Sequence, residues 1–442
     1  MINTDHVQTQ RSLGIWSATA LVVGNMIGSG VFLLPAALAP FGAASLLGWG
    51  LSTVGALLLA LAFADLGRRY PVSGGPYTFS RIAFGDFVGF MMAWCYWIST
   101  WCAVAAIAVA FTGSMTSLLP EWLGTPERAA ACSLGVLWLC TACNLAGVRS
   151  AGIAQLVTTI LKLLPLIAII ALGARAMNFT AFRPFNPSPN GLLDVTTMSA
   201  ALALWALLGF ESATIPAEHV ADAERTVPRA TLIGIVIAAT VTVAACTVVF
   251  GLVPIEQLKD SPAPFADAAQ VLWGNAGGVL MAAAMAVSCL GALNGWILIQ
   301  GQIPYAAARD GLFPKPFAAT DERGTPRAGL VIGSALASLL VCTNYNGSLV
   351  SVFTSAALLA TAACLLPYLL TAAAFWKLDG VIAQRAWWRR PVAALGFVYS
   401  IWALIGTGTA VLSWGAGLLL AGLPVYAWMR RGATPAAARV PP

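Results

Sequence analysis

The fold is decided by the stretch Gly24-Asn-Met-Ile-Gly-Ser-Gly-Val-Phe-Leu-Leu-Pro35, in which two glycines flank a serine near the middle of the first long apolar segment. A second stretch, Trp205-Ala-Leu-Leu-Gly-Phe-Glu-Ser-Ala-Thr-Ile-Pro216, repeats this order of features in the sixth apolar segment. In each, a central glycine, Gly28 or Gly209, precedes the closing proline by seven residues. Inside a membrane such interruptions persist only where the backbone lines a cavity. The two stretches therefore predict two discontinuous helices beside a polar cavity.

The composition of the chain requires a membrane around these segments. Of 442 residues, 59% are hydrophobic and 9% are charged, whereas soluble domains have about 25% charged residues. This excludes a soluble enzyme and a disordered chain. The nine cysteines all fall in apolar runs, and the pair Cys140 and Cys143 has no second pair or histidine nearby, so we expect neither metal nor cofactor. The net charge of +6 is spread between apolar segments, which argues against a nucleic acid partner.

About twelve apolar stretches are long enough to cross a bilayer, for which about 20 residues are needed. They predict an all-α polytopic membrane protein without room for a soluble domain. The predicted spans are 13–39, 44–66, 87–117, 129–147, 153–176, 194–218, 230–253, 276–306, 328–344, 350–375, 393–410 and 413–429.

The two interrupted helices are five spans apart, which is typical of transporters built from inverted repeats with the substrate site at the breaks. We predict one transporter domain over 1–442. It contains a first repeat, 13–176, a second repeat, 194–375, and an addition, 393–429. The alternative is that the glycines mark close helix packing. No Walker A loop occurs, so transport driven by ATP is not expected.

The chemistry of the broken ends predicts the substrate. Free N–H groups around Ser29 and Gly30 suit a carboxylate, because a helix N-terminus lies behind them. Carbonyl groups freed around Trp205 and Leu208 suit an ammonium group. An amino acid or a close relative is therefore the expected substrate.

The distribution of Lys and Arg predicts the orientation. With the N-terminus inside, the inner segments carry 18 of these residues and the outer segments carry four. Because cytoplasmic loops are enriched in Lys and Arg, both termini are predicted to be cytoplasmic, in a bacterial-type inner membrane.

Two ionisable residues lie clearly inside predicted spans, where a charge costs several kcal/mol unless it faces a polar cavity. Glu211 follows the second break and is expected to hold a proton, bind backbone or gate the pathway; the alternative is a structural tether. Lys162, in the fifth span, is expected to donate to carbonyls of the first helix and to titrate; the alternative is that it snorkels to the headgroups. Proton coupling is assigned to these two residues.

Several ordered motifs together resemble the amino acid–polyamine–organocation (APC) superfamily and, within it, the basic amino acid/polyamine antiporter family. They are Gly24 to Pro35, Ser73-Gly-Gly-Pro-Tyr77, Phe84-Gly85, Leu204-Trp-Ala-Leu-Leu-Gly-Phe-Glu-Ser212, Pro228 with Arg229-Ala-Thr231, Gly291 to Trp296, Asp310-Gly-Leu-Phe-Pro314, Gly324-Thr-Pro326 and Pro367-Tyr368. The resemblance implies a five-plus-five inverted repeat with two extra helices, no cofactor, the lipid bilayer as environment and a homodimer.

The resemblance also implies site residues. The candidate substrate contacts are Met26, Ser29, Gly30, Ser99, Thr100, Trp205, Leu208 and Trp296. The candidate gating residues are Tyr96, Trp205, Glu211, Trp296 and Tyr368, of which Tyr96, Glu211 and Tyr368 would form an outer-facing gate layer.

The expected function is exchange of an amino acid and an amine, of the arginine/agmatine type, by alternating access. Three apolar residues, Val104, Ala206 and Ala360, stand where the arginine/agmatine exchangers have polar partners for a guanidinium group. The alternative is therefore a proton-coupled permease or exporter of neutral amino acids that uses Lys162. A channel or an intramembrane enzyme is a third class, but neither an HExxH nor a GxSxG pattern occurs, so no enzyme is expected.

Overall fold

A computed structural model of the chain describes residues 13–28, 30–72, 74–146, 151–215, 220–322, 324–343, 347–380 and 386–431; for 30 and 151–158 the backbone alone is described. The described residues form seventeen α-helices and four short 3₁₀ segments, with one isolated β-bridge between Leu13 and Val220.

In chain order, the helices of the described residues are α1 (Ile15–Met26), α2 (Gly30–Leu38), α3 (Ser45–Arg69), α4 (Pro76–Phe84), α5 (Asp86–Leu118), α6 (Pro120–Leu123), α7 (Pro126–Leu145), α8 (Ala151–Gly173), α9 (Leu192–Trp205), α10 (Ala223–Leu252), α11 (Ile255–Leu258), α12 (Pro264–Arg309), α13 (Arg327–Thr343), α14 (Leu349–Asp379), α15 (Arg389–Gly406), α16 (Thr409–Leu420) and α17 (Gly422–Arg431).

The apolar helices confirm the predicted class. Within the described part of the chain, eight helical segments are long and apolar enough to cross a membrane, and the first of them, Ile15–Arg69, contains two predicted spans. Two shorter apolar helices, Thr159–Gly173 and Arg327–Thr343, coincide with the fifth and ninth predicted spans. The protein is thus a polytopic helical membrane protein, whereas its division into two inverted repeats stays a prediction.

Both predicted discontinuities are present. The chain leaves the helical conformation after Met26, with Ile27 at φ −83° and ψ 74°, and α2 begins at Gly30. The second interrupted helix, α9, ends at Trp205, and the chain resumes as the 3₁₀ segment Phe210–Ala213. Pro35, which helped to predict the first break, lies inside α2, so the glycine-rich residues before it carry the interruption.

The long helix α12 is bent where its chain enters the predicted span. Gly274 has φ 71° and ψ −169°, which separates the segment 264–273 from the rest of α12. Phe265 in that segment packs edge-on against Phe32 of α2, with ring centroids 5.6 Å apart. The segment therefore packs against the first turn of α2.

The core of the bundle is centred on α5, which packs against α12 and α14, while α3 packs against α9 and α10. The last two helices lie at the periphery, since α16 has no buried residue and α17 has only Gly422. The two interrupted helices are held inside this frame.

Candidate functional site

The two helix breaks lie against each other. Gly209 adopts φ 104°, a backbone conformation that favours glycine, and a Cβ placed on it would lie 3.3 Å from the backbone N of Met26 and from the carbonyl C and Cβ of Asn25. The Asn25 side-chain amide donates to the Ser212 hydroxyl over 2.8 Å. The glycine at the second break therefore permits a close approach that a side-chain hydrogen bond then fixes.

A tryptophan of α12 covers the first break. The Trp296 indole N–H donates to the Asn25 carbonyl over 3.4 Å, and the ring is buried. Next to it, a Cβ on Gly28 would come within 3.0 Å of the Ala292 side chain. Trp296 therefore lies directly beside the first break, whereas its roles in substrate contact and gating stay predictions.

Glu211 is the centre of a hydrogen-bonded layer. Its carboxylate accepts from the Tyr96 hydroxyl at 2.6 Å, from the Tyr368 hydroxyl at 2.6 Å and from the Gly209 backbone N–H at 3.2 Å. Glu211 is 0% exposed, and both tyrosines are buried. Three donors supply the hydrogen bonds that a carboxylate needs when it leaves water. The structure thus brings together three residues from α5, the second break and α14 that the resemblance grouped.

An aromatic cluster adjoins this layer and was not predicted from the sequence. The rings of Phe63, Phe210 and Tyr368 are mutually in contact, with centroids 5.0 to 5.5 Å apart, and Phe79 of α4 lies 6.0 Å from Phe63. These phenylalanines stand in apolar runs or next to a predicted motif, so the sequence offers no signal that separates them from ordinary core residues.

The face of α5 that carries Tyr96 also carries Ser99 and Thr100, and all three are buried. The Thr100 hydroxyl donates to the Trp97 carbonyl of its own helix over 2.6 Å. The Thr100 hydroxyl is therefore already engaged as a donor, which leaves it mainly as an acceptor for a ligand.

Trp205 and Leu208 border the second break. Trp205 is buried with its ring edge toward Phe353, at 6.3 Å between centroids, and its indole N–H has no hydrogen-bond partner among the described residues. The Trp205 carbonyl accepts from the Leu208 N–H at 3.3 Å, so it is less free than predicted. Within the part of the chain that the structure describes, no backbone N–H donates to the Leu208 carbonyl, and its role as a ligand contact stays a prediction.

The predicted carboxylate contacts are only partly described. Ser29 lies outside the described residues. Gly30 begins α2, and Met26 ends α1 and is buried. The expected position of the α2 N-terminus at the first break is thus present. Three apolar residues stand where the resemblance led us to expect polar partners for a guanidinium group, and all three are buried: Val104, Ala206 and Ala360.

Lys162 binds the end of α1. Its ammonium group donates to the Gly24 carbonyl over 3.1 Å, and the Thr159 hydroxyl donates to the Ala20 carbonyl one turn earlier over 3.0 Å. Lys162 is 2% exposed, and no carboxylate of the described chain forms an ion pair with it. These contacts favour the predicted donation to the first helix over snorkelling.

Two apposed, hydrogen-bonded helix breaks in a polytopic helical bundle define a membrane transporter of the interrupted-helix class. The sequence model of the amino acid permease family matches residues 13–429. The chain therefore belongs to the amino acid permease family of the APC superfamily, and it is a multi-pass inner-membrane transporter, not an enzyme.

Relatives in bacteria cover nearly the whole chain. A putative arginine/ornithine antiporter of Bacillus subtilis (strain 168) is 33% identical over 95% of this chain and 97% of its own length. The putrescine transporter PotE of Escherichia coli (strain K12) is 33% identical over 94% of this chain and 95% of its own. The cadaverine/lysine antiporter of the same organism is 30% identical over 92% of each.

Proposed function

We propose that this permease exchanges a cationic amino acid for a related amine across the inner membrane by alternating access. The observation that carries the proposal is the contact of the two breaks at Gly209 and Asn25, with the Glu211 carboxylate buried beside it. The α2 N-terminus suits the carboxylate of the substrate, and the Leu208 carbonyl suits its ammonium group. Two of the three relatives are antiporters of cationic amino acids, which supports exchange.

The arginine/agmatine pair is one member of this class. The buried apolar side chains at 104, 206 and 360 favour substrates that end in an ammonium group over those that end in a guanidinium group. A guanidinium group has five N–H donors and no acceptor. Val104, Ala206 and Ala360 offer these donors no acceptor, and Thr100 offers them one hydroxyl oxygen. An alkylammonium group needs fewer partners and is attracted to aromatic faces such as those of Trp205 and Trp296. We therefore propose lysine or ornithine and their diamines ahead of arginine and agmatine.

A thermal-shift screen tests the substrate class. Purified protein is heated with each amino acid or amine, and a ligand that binds the folded state raises the midpoint of thermal unfolding. We expect the largest shifts with lysine, ornithine, cadaverine and putrescine, and none of these shifts in the Trp205→Ala variant. Shifts confined to neutral amino acids would contradict the proposal.

The gate layer of Tyr96, Glu211 and Tyr368 lies toward the ends of α3 and α14 that the charge distribution predicts to be cytoplasmic. The adjoining Phe63 is six residues from the end of α3, and α4 contributes Phe79. We therefore propose that this layer closes the cytoplasmic side, in place of the outer-facing position that the resemblance implied.

A second candidate function, proton-coupled permeation of neutral amino acids, is favoured by the Lys162 contact with Gly24. The Lys162 amine binds a proton, and its ammonium form is the stronger donor to the Gly24 carbonyl, so its protonation can be coupled to the position of α1. Uptake by empty vesicles that collapses when the proton gradient is removed would select this function. A Lys162→Ala variant with an unchanged pH profile would remove Lys162 from it.

We further propose that the protein forms a homodimer, as the resemblance implies. More than half of the residues in α16 and α17 are exposed and only Gly422 is buried, so these helices offer a surface for it. Light scattering from the purified protein distinguishes a dimer from a monomer.

A further inference from the structure

A charged cluster lies where α3 and α14 end and α15 begins, on the side of the bundle predicted to be cytoplasmic. We name it the basic corner; it consists of Asp65, Arg68, Arg69, Asp379, Arg389 and Arg390.

Ion pairs run through the basic corner in an alternating chain. Arg389 pairs with Asp65 (Nε to Oδ2, 3.3 Å) and with Asp379 (Nη1 to Oδ1, 3.5 Å). Arg68 continues the chain from Asp65 at 3.2 Å, and Arg390 continues it from Asp379 at 3.7 Å. Asp65, Asp379 and Arg389 are buried. The chain therefore has a buried centre and an arginine at each end.

The basic corner contains more positive charge than its own carboxylates neutralise. Two carboxylates face four guanidinium groups, because Arg69 also pairs with Asp65. The Nε and Nη1 groups of Arg69 are buried without a hydrogen-bond partner among the described residues, and its guanidinium stacks on Phe375 at 5.5 Å from the ring centroid. This excess of two positive charges points to an external anion.

The N-terminus of α15 also favours an external anion. The helix begins at Arg389 and Arg390, with no acidic residue in its first turn and no side-chain cap. Cations are unfavourable at the positive end of a helix dipole, whereas an anion there is favourable.

The exposed edge of the basic corner has the composition of a membrane interface. Arg68 is 53% and Arg390 is 47% exposed. Arg390 lies over the ring of Trp376 at 5.6 Å, and Trp376 and Trp387 are 47% and 87% exposed. Tryptophan is enriched at headgroup depth, and basic groups between helices on the cytoplasmic side attract anionic lipid headgroups.

We propose that the basic corner binds the phosphate of an anionic phospholipid, with Arg68 and Arg390 as headgroup contacts and Trp376 and Trp387 beside the glycerol and upper acyl chain. The site is separate from the exchange site and does not depend on the exchange proposal.

Lipid titration of the full-length protein in detergent tests this assignment. Native mass spectrometry and thermal unfolding are recorded with phosphatidylglycerol, with phosphatidylcholine of the same chains, and with inorganic phosphate. We expect phosphatidylglycerol to remain bound and to raise the unfolding midpoint, and the other two to do neither. An equal shift with inorganic phosphate would show a free-anion site, and an equal shift with phosphatidylcholine would show no headgroup selectivity; either overturns the lipid assignment.

Matched variants locate the site. The double variant Arg68→Gln with Arg390→Gln should lose at least fivefold in phosphatidylglycerol affinity. The control, Arg430→Gln with Arg431→Gln, removes an exposed arginine pair at the end of α17 and should retain it. Equal loss in both would show general electrostatic attraction and refute the site. If the first variant does not fold, brominated phosphatidylglycerol should quench fluorescence of the natural sequence more than that of Trp387→Phe; equal quenching would contradict the proposal.

Discussion

Glu211 shows at the scale of single residues how this chain keeps a carboxylate inside a membrane bundle. Its three donors come from α5, from α14 and from the backbone of its own break. A carboxylate without such donors would cost several kcal/mol at this depth. Because the donors belong to separate elements, Glu211 can hold those elements together only while the layer is closed.

The Glu211→Gln variant tests this role. The amide has one acceptor oxygen and a donor in place of the second acceptor, so one of the two tyrosine hydroxyls loses its partner. A lost hydrogen bond to a charged group costs about 1.5–3 kcal/mol, so we expect exchange to fall by about 10- to 100-fold. Glu121→Gln, at an exposed glutamate of α6, is the control. A wild-type exchange rate in Glu211→Gln would show that the layer is not part of the cycle.

The Gly209→Ala variant tests the contact between the breaks. Its φ of 104° is unfavourable for alanine, and the new Cβ would press on Asn25 and Met26. We expect strain of about 1–3 kcal/mol, a lower unfolding midpoint and weaker ligand-induced stabilisation. Gly415→Ala, in the exposed helix α16 with open space at the Cβ, should behave like the natural sequence. Equal ligand shifts in both variants would refute the close approach.

Much of the site, but not its side-chain bonding, could be predicted from the sequence. The glycines of the breaks and the isolated charges at 162 and 211 stand out because such residues are rare in apolar spans. The Thr100 bond to its own helix depends on a rotamer, and Phe63 and Phe79 look like any other apolar residues, so only the folded chain reveals them.

At the scale of elements, the short helix α4 connects the ends of two others. The Tyr77 hydroxyl donates to Asp310 at the end of α12 over 2.5 Å, and Arg81 pairs with the same carboxylate at 2.9 Å. Lys377 of α14 donates to the Ala83 carbonyl over 2.7 Å. Burial, together with the hydrogen bond to Asp310, raises the pKa of Tyr77 above its ordinary value, so the hydroxyl keeps its proton and remains a donor at neutral pH.

The Asp310→Asn variant tests whether α4 latches the inner closure. Asparagine removes the ion pair with Arg81, so the inner layer should open more often and the buried thiols of Cys95 and Cys364 should react faster with a maleimide. Mass spectrometry of labelled peptides measures the rates. Asp86→Asn removes only the exposed partner of Arg81 and serves as the control. Unchanged labelling of Cys95 and Cys364 in Asp310→Asn would show that α4 does not hold the closure.

Elements were predictable where hydropathy marks them. Each predicted span falls on helical segments because about 20 apolar residues have no other stable arrangement in lipid. The first and sixth spans are interrupted, and the last is divided between α16 and α17. The bend of α12 at Gly274 was not predicted, since one glycine among apolar residues does not reveal its backbone conformation.

At the scale of the whole molecule, two sets of contacts lie beside the apposed breaks. Phe265 packs on Phe32 of α2, and Glu211 at the second break binds Tyr96 and Tyr368. We propose that these two sets of contacts are the two closures of the pathway, which alternating access requires to open one at a time around the apposed breaks. The predicted orientation decides which closure faces the cytoplasm.

The orientation is tested with reporters fused after residue 442. With 18 basic residues in inner and four in outer segments, a C-terminal green fluorescent protein should fluoresce and a C-terminal alkaline phosphatase should be inactive. The reverse pattern would invert the assignment of the inner and outer closures.

The central claim is that exchange takes place at one site formed by the two apposed helix breaks. Counterflow in proteoliposomes tests this claim most directly. Vesicles loaded with unlabelled lysine, ornithine, cadaverine or putrescine, and matched empty vesicles, receive the labelled amino acid outside at equal pH on both sides. We predict rapid uptake into the loaded vesicles and almost none into the empty ones, with stimulation lost in Gly209→Ala. Equal uptake by loaded and empty vesicles would contradict the account.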